Sequence, residues 1–384
     1  MKCDGNCTAC THRACQNKTV PVTQGYTLLR DDFTPRAGLG LAIDLGTTTI
    51  ALELIDLQSG RAIAGCGFVN PQRKFGPDVI SRIDAANQGH ASALRRLICE
   101  AIDLHARELL QGRALTEAVI AGNTTMISLL LGFDCACLGK APFEPETALQ
   151  NSYPWPEIFG RSPESCILTP ASCFIIPWIS AFVGGDVVAG LVCAPCKGSA
   201  LLVDLGTNGE IALRHAGRLY ATATAAGPAF EGMKPGLCGS DVLEITAKLV
   251  REAHIDETGF LEHDKCYGFT QRDVRQVQLA KSAVRTGIEV LLDIAGRPEL
   301  DAVYLCGGIG HALDEQDALD IGLFPAGMKG KIVPLGNAAL GGAARLLKHP
   351  KAREEIPAML AARHINLSEQ PKFNEYFMEY INFE

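Results

Sequence analysis

One stretch of the chain occurs twice. Leu41-Ala42-Ile43-Asp44-Leu45-Gly46-Thr47-Thr48-Thr49-Ile50-Ala51-Leu52 returns 160 residues later as Leu201-Leu202-Val203-Asp204-Leu205-Gly206-Thr207-Asn208-Gly209-Glu210-Ile211-Ala212-Leu213. Each copy reads as an apolar strand, an Asp-Leu-Gly-Thr turn and a second strand. A Gly-Arg pair then follows (Gly60-Arg61, Gly217-Arg218), and then a third strand. Short apolar runs bounded by turn residues are the pattern of buried strands. The spacing is far beyond any solenoid period, so it describes two copies of one domain. Helical seams fill the gaps: Leu94, Leu97, Ile98, Ala101, Ile102, His105 and Leu109 share a face, as do Val277, Ala280, Val284, Ile288, Leu291 and Ala295. An apolar strand over Ala302–Leu305 then runs into Cys306-Gly307-Gly308-Ile309-Gly310. Strands alternating with helices predict an α/β fold.

Four regions follow. Residues 1–40 form a Cys-rich segment and a connector, residues 41–190 a first subdomain, residues 198–345 a second, and residues 346–384 a tail. The tail aromatics Phe373, Tyr376, Phe377, Tyr380 and Phe383 recur at helical spacing and predict a docking helix. With 47% apolar and 20% charged residues, the chain as a whole is neither disordered nor a coiled coil. A formal net charge of -8 without a basic cluster argues against a nucleic-acid partner. The start, Met-Lys-Cys-Asp-Gly-Asn-Cys, has no apolar h-region, which predicts a cytoplasmic, reducing location. The uncharged stretch from Ser165 to Gly185 carries Pro170 and Pro177 and reads as buried strand and loop, not as a membrane span.

The two turns carry the chemistry. Gly lets the backbone approach a ligand closely. The amides and Thr hydroxyls that follow make a nest for phosphate oxygens. An Asp at the strand end suits Mg²⁺, which keeps several of its waters. A single such turn is equally a plain hairpin. Two matched copies and a Gly-Gly-x-Gly turn point to a nucleotide triphosphate gripped by both hairpins. No Gly-x-Gly-x-x-Gly lies between a strand and a helix, and Gly139-Lys140-Ala141 is not a Walker A motif.

These turns resemble the phosphate-1, phosphate-2 and adenosine motifs of the ASKHA superfamily (acetate and sugar kinases, Hsp70 chaperones, actin). From about residue 40 onward the chain more narrowly resembles the reductive activators of corrinoid proteins. That resemblance rests on Asn70-Pro71-Gln72, Gly76-Pro77-Asp78-Val79-Ile80-Ser81-Arg82-Ile83, Ala121-Gly122-Asn123-Thr124-Thr125-Met126, Ala141-Pro142-Phe143 and Phe182-Val183-Gly184-Gly185-Asp186. It continues through Ala225–Gly232, Gly236–Ser240, Gln278-Leu279-Ala280-Lys281 and Gly336–Leu340.

The resemblance implies an ATPase that moves one electron from an iron-sulfur centre to a Co(II) corrinoid protein, returning it to Co(I). It implies Asp44, Gly46, Thr47 and Thr48 at phosphate 1, and Asp204, Gly206, Thr207 and Asn208 at phosphate 2. Gly307, Gly308 and Gly310 match the adenosine turn. Asp186 matches the acid expected to hold Mg²⁺ or orient water, with Glu210 as the alternative. Asn123-Thr124-Thr125 reads either as a strand-to-helix turn or as a ligand contact. A homodimer is expected, and the electron donor stays open.

The departure from the family lies in the cysteines. Described activators carry a large ferredoxin-like [2Fe-2S] domain or [4Fe-4S] motifs. Here there is Cys3-x3-Cys7-x2-Cys10-x4-Cys15, which could ligate one [4Fe-4S] cluster or one Zn²⁺, or could be a bare tail. The first three match the spacing of radical SAM enzymes, but no barrel of βα units follows. Cys193, Cys196 or Cys238 could hold a shared cluster as in the archerases, or be buried thiols packing as small hydrophobes. Cys66, Cys99, Cys135, Cys137, Cys166, Cys173 and Cys306 read as structural. Three further functions compete: an archerase-like ATP-dependent electron-transfer activator of another enzyme, a small-molecule kinase with Asp186 as base, and an ATP-switched binding module without redox activity. The N-terminal cysteines yield a direct prediction. Anaerobically purified protein should carry iron and sulfide, and Cys7→Ala and Cys10→Ala should each lose both; zinc in place of iron would remove the redox role.

Overall fold

Leu41-Ala42-Ile43 and Leu201-Leu202-Val203 have no polar alternation, and strands this apolar are stable only when both faces are covered. The protein is described by a computed structural model over residues 25–30, 32–145, 150–160, 171–195, 197–231, 233, 237–263, 266–307 and 313–383. The first block forms β1 (Leu39–Leu45), β2 (Thr49–Asp56), β3 (Arg61–Val69), α1 (Val79–Ala85), α2 (Ala91–Leu110), β4 (Glu117–Gly122), α3 (Thr124–Leu131), β5 (Ser152–Pro154), α4 (Trp155–Phe159), β6 (Ser172–Ile175) and α5 (Gly185–Cys193). The second forms β7 (Ala200–Leu205), β8 (Gly209–His215), β9 (Arg218–Thr224), α6 (Gly239–Arg251), α7 (Gln271–Ile294), β10 (Ala302–Cys306), α8 (Glu315–Asp320) and β11 (Ile332–Gly336). After these come α9 (Ala338–Lys348), α10 (Ile356–Leu360), β12 (Arg363–His364) and α11 (Phe373–Glu379).

The chain divides into two units. One comprises the described residues of 16–195 with 338–361, the other those of 196–337 with 362–384. The first has a six-stranded sheet in the order β3-β2-β1-β4-β6-β5, the second one in the order β11-β10-β7-β8-β9-β12. In both, the opening strand pairs antiparallel with its hairpin partner on one side. On the other side it pairs in parallel with a later strand: β4 beside β1, β10 beside β7. Gly60 and Gly217, at φ 71° and 74°, make the turns into β3 and β9. This is a duplicated ribonuclease-H-like α/β fold, the architecture of the ASKHA ATPases.

Each unit has its own hydrophobic core. In the first, Leu41, Ile43 and Leu45 meet α2 through Leu94, Ile98, Ile102, Ala106 and Leu110. The buried seam of α2 is thus turned slightly from the predicted one, leaving Leu97, Ala101, His105 and Leu109 at its border. In the second, Leu201, Val203 and Leu205 meet Val277, Val284 and Ile288 of α7. That helix is buried on every side from Lys281 to Val290. The Gln278–Lys281 motif holds the tail. Lys281 Nζ donates to the Tyr380 carbonyl at 2.8 Å, Gln278 Nε2 to that of Ile381 at 2.9 Å, and Ser282 Oγ to that of Phe377 at 2.6 Å. Among the described residues no helix is long and apolar enough to cross a membrane.

Although α9 follows the second block in sequence, it packs in the first unit, on α5, β1 and β4. Small residues make this possible: a Cβ on Gly342 would lie 2.2 Å from the carbonyl oxygen of Ala189 in α5. Arg345, on the same helix, forks onto the Asp32 carboxylate at 2.9 and 2.6 Å and holds it down to about 2. The connector before β1 is pinned there. Gly342→Ala should therefore destabilise the protein by about 1–3 kcal/mol through overpacking, against a helix-propensity gain of roughly 1 kcal/mol. Urea unfolding measures it, and equal or greater stability would contradict this contact.

Candidate functional site

Parallel strands leave a carboxyl edge at which α/β sheets bind their ligands. In the first unit β1 and β4 end side by side, with Asp44 against Ala121 and Leu45 against Gly122. Just past these ends lie the Gly46–Thr48 turn and Asn123. The glycines keep backbones close. A Cβ on Gly46 would lie 2.4 Å from the Thr49 carbonyl oxygen, one on Gly122 2.8 Å from that of Leu45, and one on Gly185 2.3 Å from that of Ile176. Gly184 sits against Asn123 and Asp186, its Cβ position 2.5 Å from the Cα of the one and 2.7 Å from Oδ1 of the other. Thr47, Asn123 and Asp186 are thereby gathered at the edge that ends with Asp44.

Asp186 lies in the first turn of α5, where its Oδ1 accepts from the Val187 amide at 2.8 Å. Burial pushes its carboxyl up to about 6, and the amide bond only partly opposes this. Asn123 has two roles. Its Oδ1 accepts from Met126 N and caps α3, and its Nδ2 donates to Thr47 Oγ1 at 2.9 Å. The strand-to-helix reading of this motif is borne out, and the same side chain also reaches the Gly46–Thr48 turn.

Behind the same turn lies a polar layer. Asn70, Gln72 and Arg82 are each 0% exposed. Asn70 Nδ2 donates to the Gly46 carbonyl at 2.9 Å and its backbone amide to that of Thr48 at 2.9 Å. Arg82 Nη2 donates to the Thr47 carbonyl at 2.7 Å, Nε to that of Gly76 at 3.1 Å and Nη1 to Gln72 Oε1 at 3.3 Å. The sequence marked these residues only as parts of matched segments. A lone Arg on a short helix carries no sign of being buried.

In the second unit, Asp204 stands directly opposite Glu210 across the hairpin, so two carboxylates share one face. Gly206 N donates to the Asn208 carbonyl at 3.0 Å, and the Thr207 carbonyl accepts from the Gly227 amide at 2.8 Å. Gly307 follows β10 at φ 93°, and a Cβ there would lie 2.7 Å from Asp204 Oδ1 and 2.5 Å from the Leu205 carbonyl oxygen, so only glycine fits. Its amide donates to the Gly336 carbonyl. A cavity of about 400 Å³ is lined by Ser240, Glu244, Arg251, Leu313, Asp314 and Asp317.

Gly308, Gly310, Cys166, Cys196, Cys3, Cys7, Cys10 and Cys15 lie outside the described residues. Among the described residues no group of three His, Cys, Asp or Glu could hold a metal. Cys193 is wholly buried, donates to the Ala338 carbonyl, and is pushed up to about 12 by burial. It packs as an inert thiol. Cys238 caps α6, its Sγ 3.1 Å from Asp241 Oδ2. Cys66, Cys99, Cys135, Cys173 and Cys306 are buried, and Cys137 is half-buried.

A family model described as the RACo middle region matches residues 39–197. One described as the C-terminal domain of RACo, the ASKHA domain, matches 198–235 and 262–384. The chain is 30% identical to the corrinoid activation enzyme RamQ of Eubacterium limosum, over 88% of this chain and 69% of that one. It is 23% identical to the [Co(II) methylated amine-specific corrinoid protein] reductase of Methanosarcina barkeri, over 88% and 76%. Among solved structures it resembles a reductive activator for a corrinoid, iron-sulfur protein, with a TM-score of 0.79, 27% identity, and 91% and 67% of the two chains covered. With both regions matched in order and the fold shared, the chain belongs to the family of reductive activators of corrinoid proteins.

Proposed function

We propose that the protein couples ATP hydrolysis to the one-electron return of a Co(II) corrinoid protein to Co(I). What carries this reading is the family membership together with the duplicated Asp-Leu-Gly-Thr hairpin, whose first turn ends a parallel strand with its carbonyls engaged from behind. Gly46, Thr47 and Thr48 bind phosphate through backbone amides and hydroxyls, as do Gly206, Thr207 and Asn208. Asp44 and Asp204 would hold Mg²⁺, and Asp186 would orient the attacking water, with Glu210, opposite Asp204, in support. Gly307 with Gly308 and Gly310 takes the adenosine. Bound Mg²⁺ supplies charge neutralisation at the phosphates. Cys3, Cys7, Cys10 and Cys15 would hold an iron-sulfur centre, which would supply one-electron transfer. A cytoplasmic homodimer fits this role.

The coupling has a size. Only a difference in affinity between nucleotide states can drive an uphill transfer. For one electron, about 59 mV corresponds to tenfold, or roughly 1.4 kcal/mol, so about 4 kcal/mol of differential binding covers roughly 170 mV. A protein–protein interface of ordinary size supplies that much.

With a Co(II) corrinoid protein and a low-potential reductant under anaerobic conditions, ATP should raise the Co(I) absorbance; no ATP-dependent signal would overturn the reading. Asp44→Asn and Asp204→Asn should each lower turnover by about a hundredfold or more. Asp186→Asn should lose turnover and yet gain stability. Between pH ~4 and ~6 the folded chain keeps on Asp186 a proton that the unfolded chain has released, so stability falls as pH rises through that window. The Asn variant escapes this penalty and should be more stable at pH 7 by on the order of 2–3 kcal/mol, with the gain vanishing below pH 4. Equal stability at pH 7 would show that Asp186 is not held as described.

A further inference from the structure

The layer behind the phosphate-1 turn explains three matched segments to which no role was assigned: Asn70-Pro71-Gln72, Gly76–Ile83 and Asn123-Thr124-Thr125. All three carbonyls of the turn, those of Gly46, Thr47 and Thr48, are taken from behind by Asn70 Nδ2, Arg82 Nη2 and Asn70 N. In a trans peptide the carbonyl and the N–H of the same plane point in opposite directions. Fixing the Gly46 and Thr47 carbonyls inward therefore directs the Thr47 and Thr48 amides outward. The Thr47 hydroxyl is set in the same way: its oxygen accepts from Asn123 Nδ2, which leaves its own proton to donate outward. The amide group of Asn123 cannot turn over without breaking the α3 cap, where Oδ1 accepts from Met126 N.

Arg82 brings more than geometry. Among the described residues no carboxylate lies within hydrogen-bonding distance of its guanidinium; its partners are two carbonyls, Gln72 Oε1 and Met126 Sδ. Asp78 is the acid that acts on it at longer range, and the Asp78 carboxylate is committed to Ser81 N and Oγ. Burial brings the guanidinium down only to about 10, so it stays cationic at neutral pH. Burying a cation without a counter-charge is costly, and a neutral donor would satisfy the Thr47 carbonyl without that cost. The second hairpin shows this, because there the Gly227 amide serves the Thr207 carbonyl.

We propose that Arg82, with Asn70, Gln72 and Asn123, is a positioning unit for the nucleotide's phosphates. It fixes the peptide planes of the turn and places behind them a buried positive charge with no hydrogen-bonded carboxylate among the described residues, which the polyphosphate would complement. This rests on the reading of Gly46–Thr48 as an ATP phosphate turn.

The test is calorimetric titration of the purified full-length protein with Mg-ATP and with adenosine. Arg82→Gln keeps a donor and drops the charge. It should weaken ATP about ten- to a hundredfold while adenosine stays within about twofold. Arg82→Lys keeps the charge and should recover part of the loss. Asn123→Asp keeps a good cap for α3 but replaces the donor to Thr47 with a negative charge. It should lower ATP affinity by about tenfold or more with the melting temperature held within about 2 °C. If Arg82→Gln does not fold, Asn123→Asp carries the test alone. Variants that leave the ATP-to-adenosine ratio at the wild-type value overturn the positioning role while the nucleotide site stands. A wild-type protein that binds no ATP overturns both.

Discussion

A turn that offers its amides to a ligand has to satisfy its carbonyls from the other side. At the Gly46–Thr48 turn this requirement decides where distant segments go. The chain leaves β3 at Val69 and at once places Asn70 behind the turn, where its backbone and side chain together hold two of the three carbonyls. The third needs a long side chain, and Arg82 reaches it from α1, whose start is fixed by the Asp78–Ser81 capping box. The approach works only because Gly46, Gly122, Gly184 and Gly185 carry no Cβ where neighbouring backbone or side-chain atoms stand within 3 Å.

The opposite end of the same sheet does different work. Glu117 opens β4 and is nearly buried between Arg36 and Arg353, with Nη2 atoms at 2.5 and 2.7 Å. Arg345 ties Asp32 and Glu355 to α9, and Arg30 joins from the connector. These ion pairs are partly or fully enclosed, so breaking one leaves a charge stranded. The amino edge therefore holds the connector and α9 in place.

The parts legible in the sequence were those that repeat or alternate. Twin apolar strands ending in Asp-Leu-Gly-Thr fixed both sheets, and the tail aromatics indicated a docked helix; Tyr376 and Phe383 do enter the second core. The placement of α9 was not legible. Ala338-Ala339-Leu340-Gly341-Gly342-Ala343-Ala344 signals close packing on all sides but not against what, and it follows the second block while covering the first unit's sheet. Arg82 was hidden for a related reason. It lies between polar Ser81 and apolar Ile83, and nothing in a single sequence tells a buried guanidinium from a solvated one. Only the carbonyl it meets, 35 residues away, does so.

The two hairpins close differently, with four residues between the paired Leu45 and Ile50 and three between the paired Leu205 and Gly209. Asp44 stands opposite Ala51, whereas Asp204 stands opposite Glu210. A buried cation backs the first turn; a neutral amide backs the second. A phosphate is drawn to an excess of positive charge and a divalent cation to paired oxygens. On the proposed function, the first turn is then biased toward the phosphoryl oxygens and the second toward the magnesium that accompanies them. On that reading, the buried guanidinium of Arg82 lies behind the turn that meets phosphate, and the paired carboxylates of Asp204 and Glu210 stand at the other.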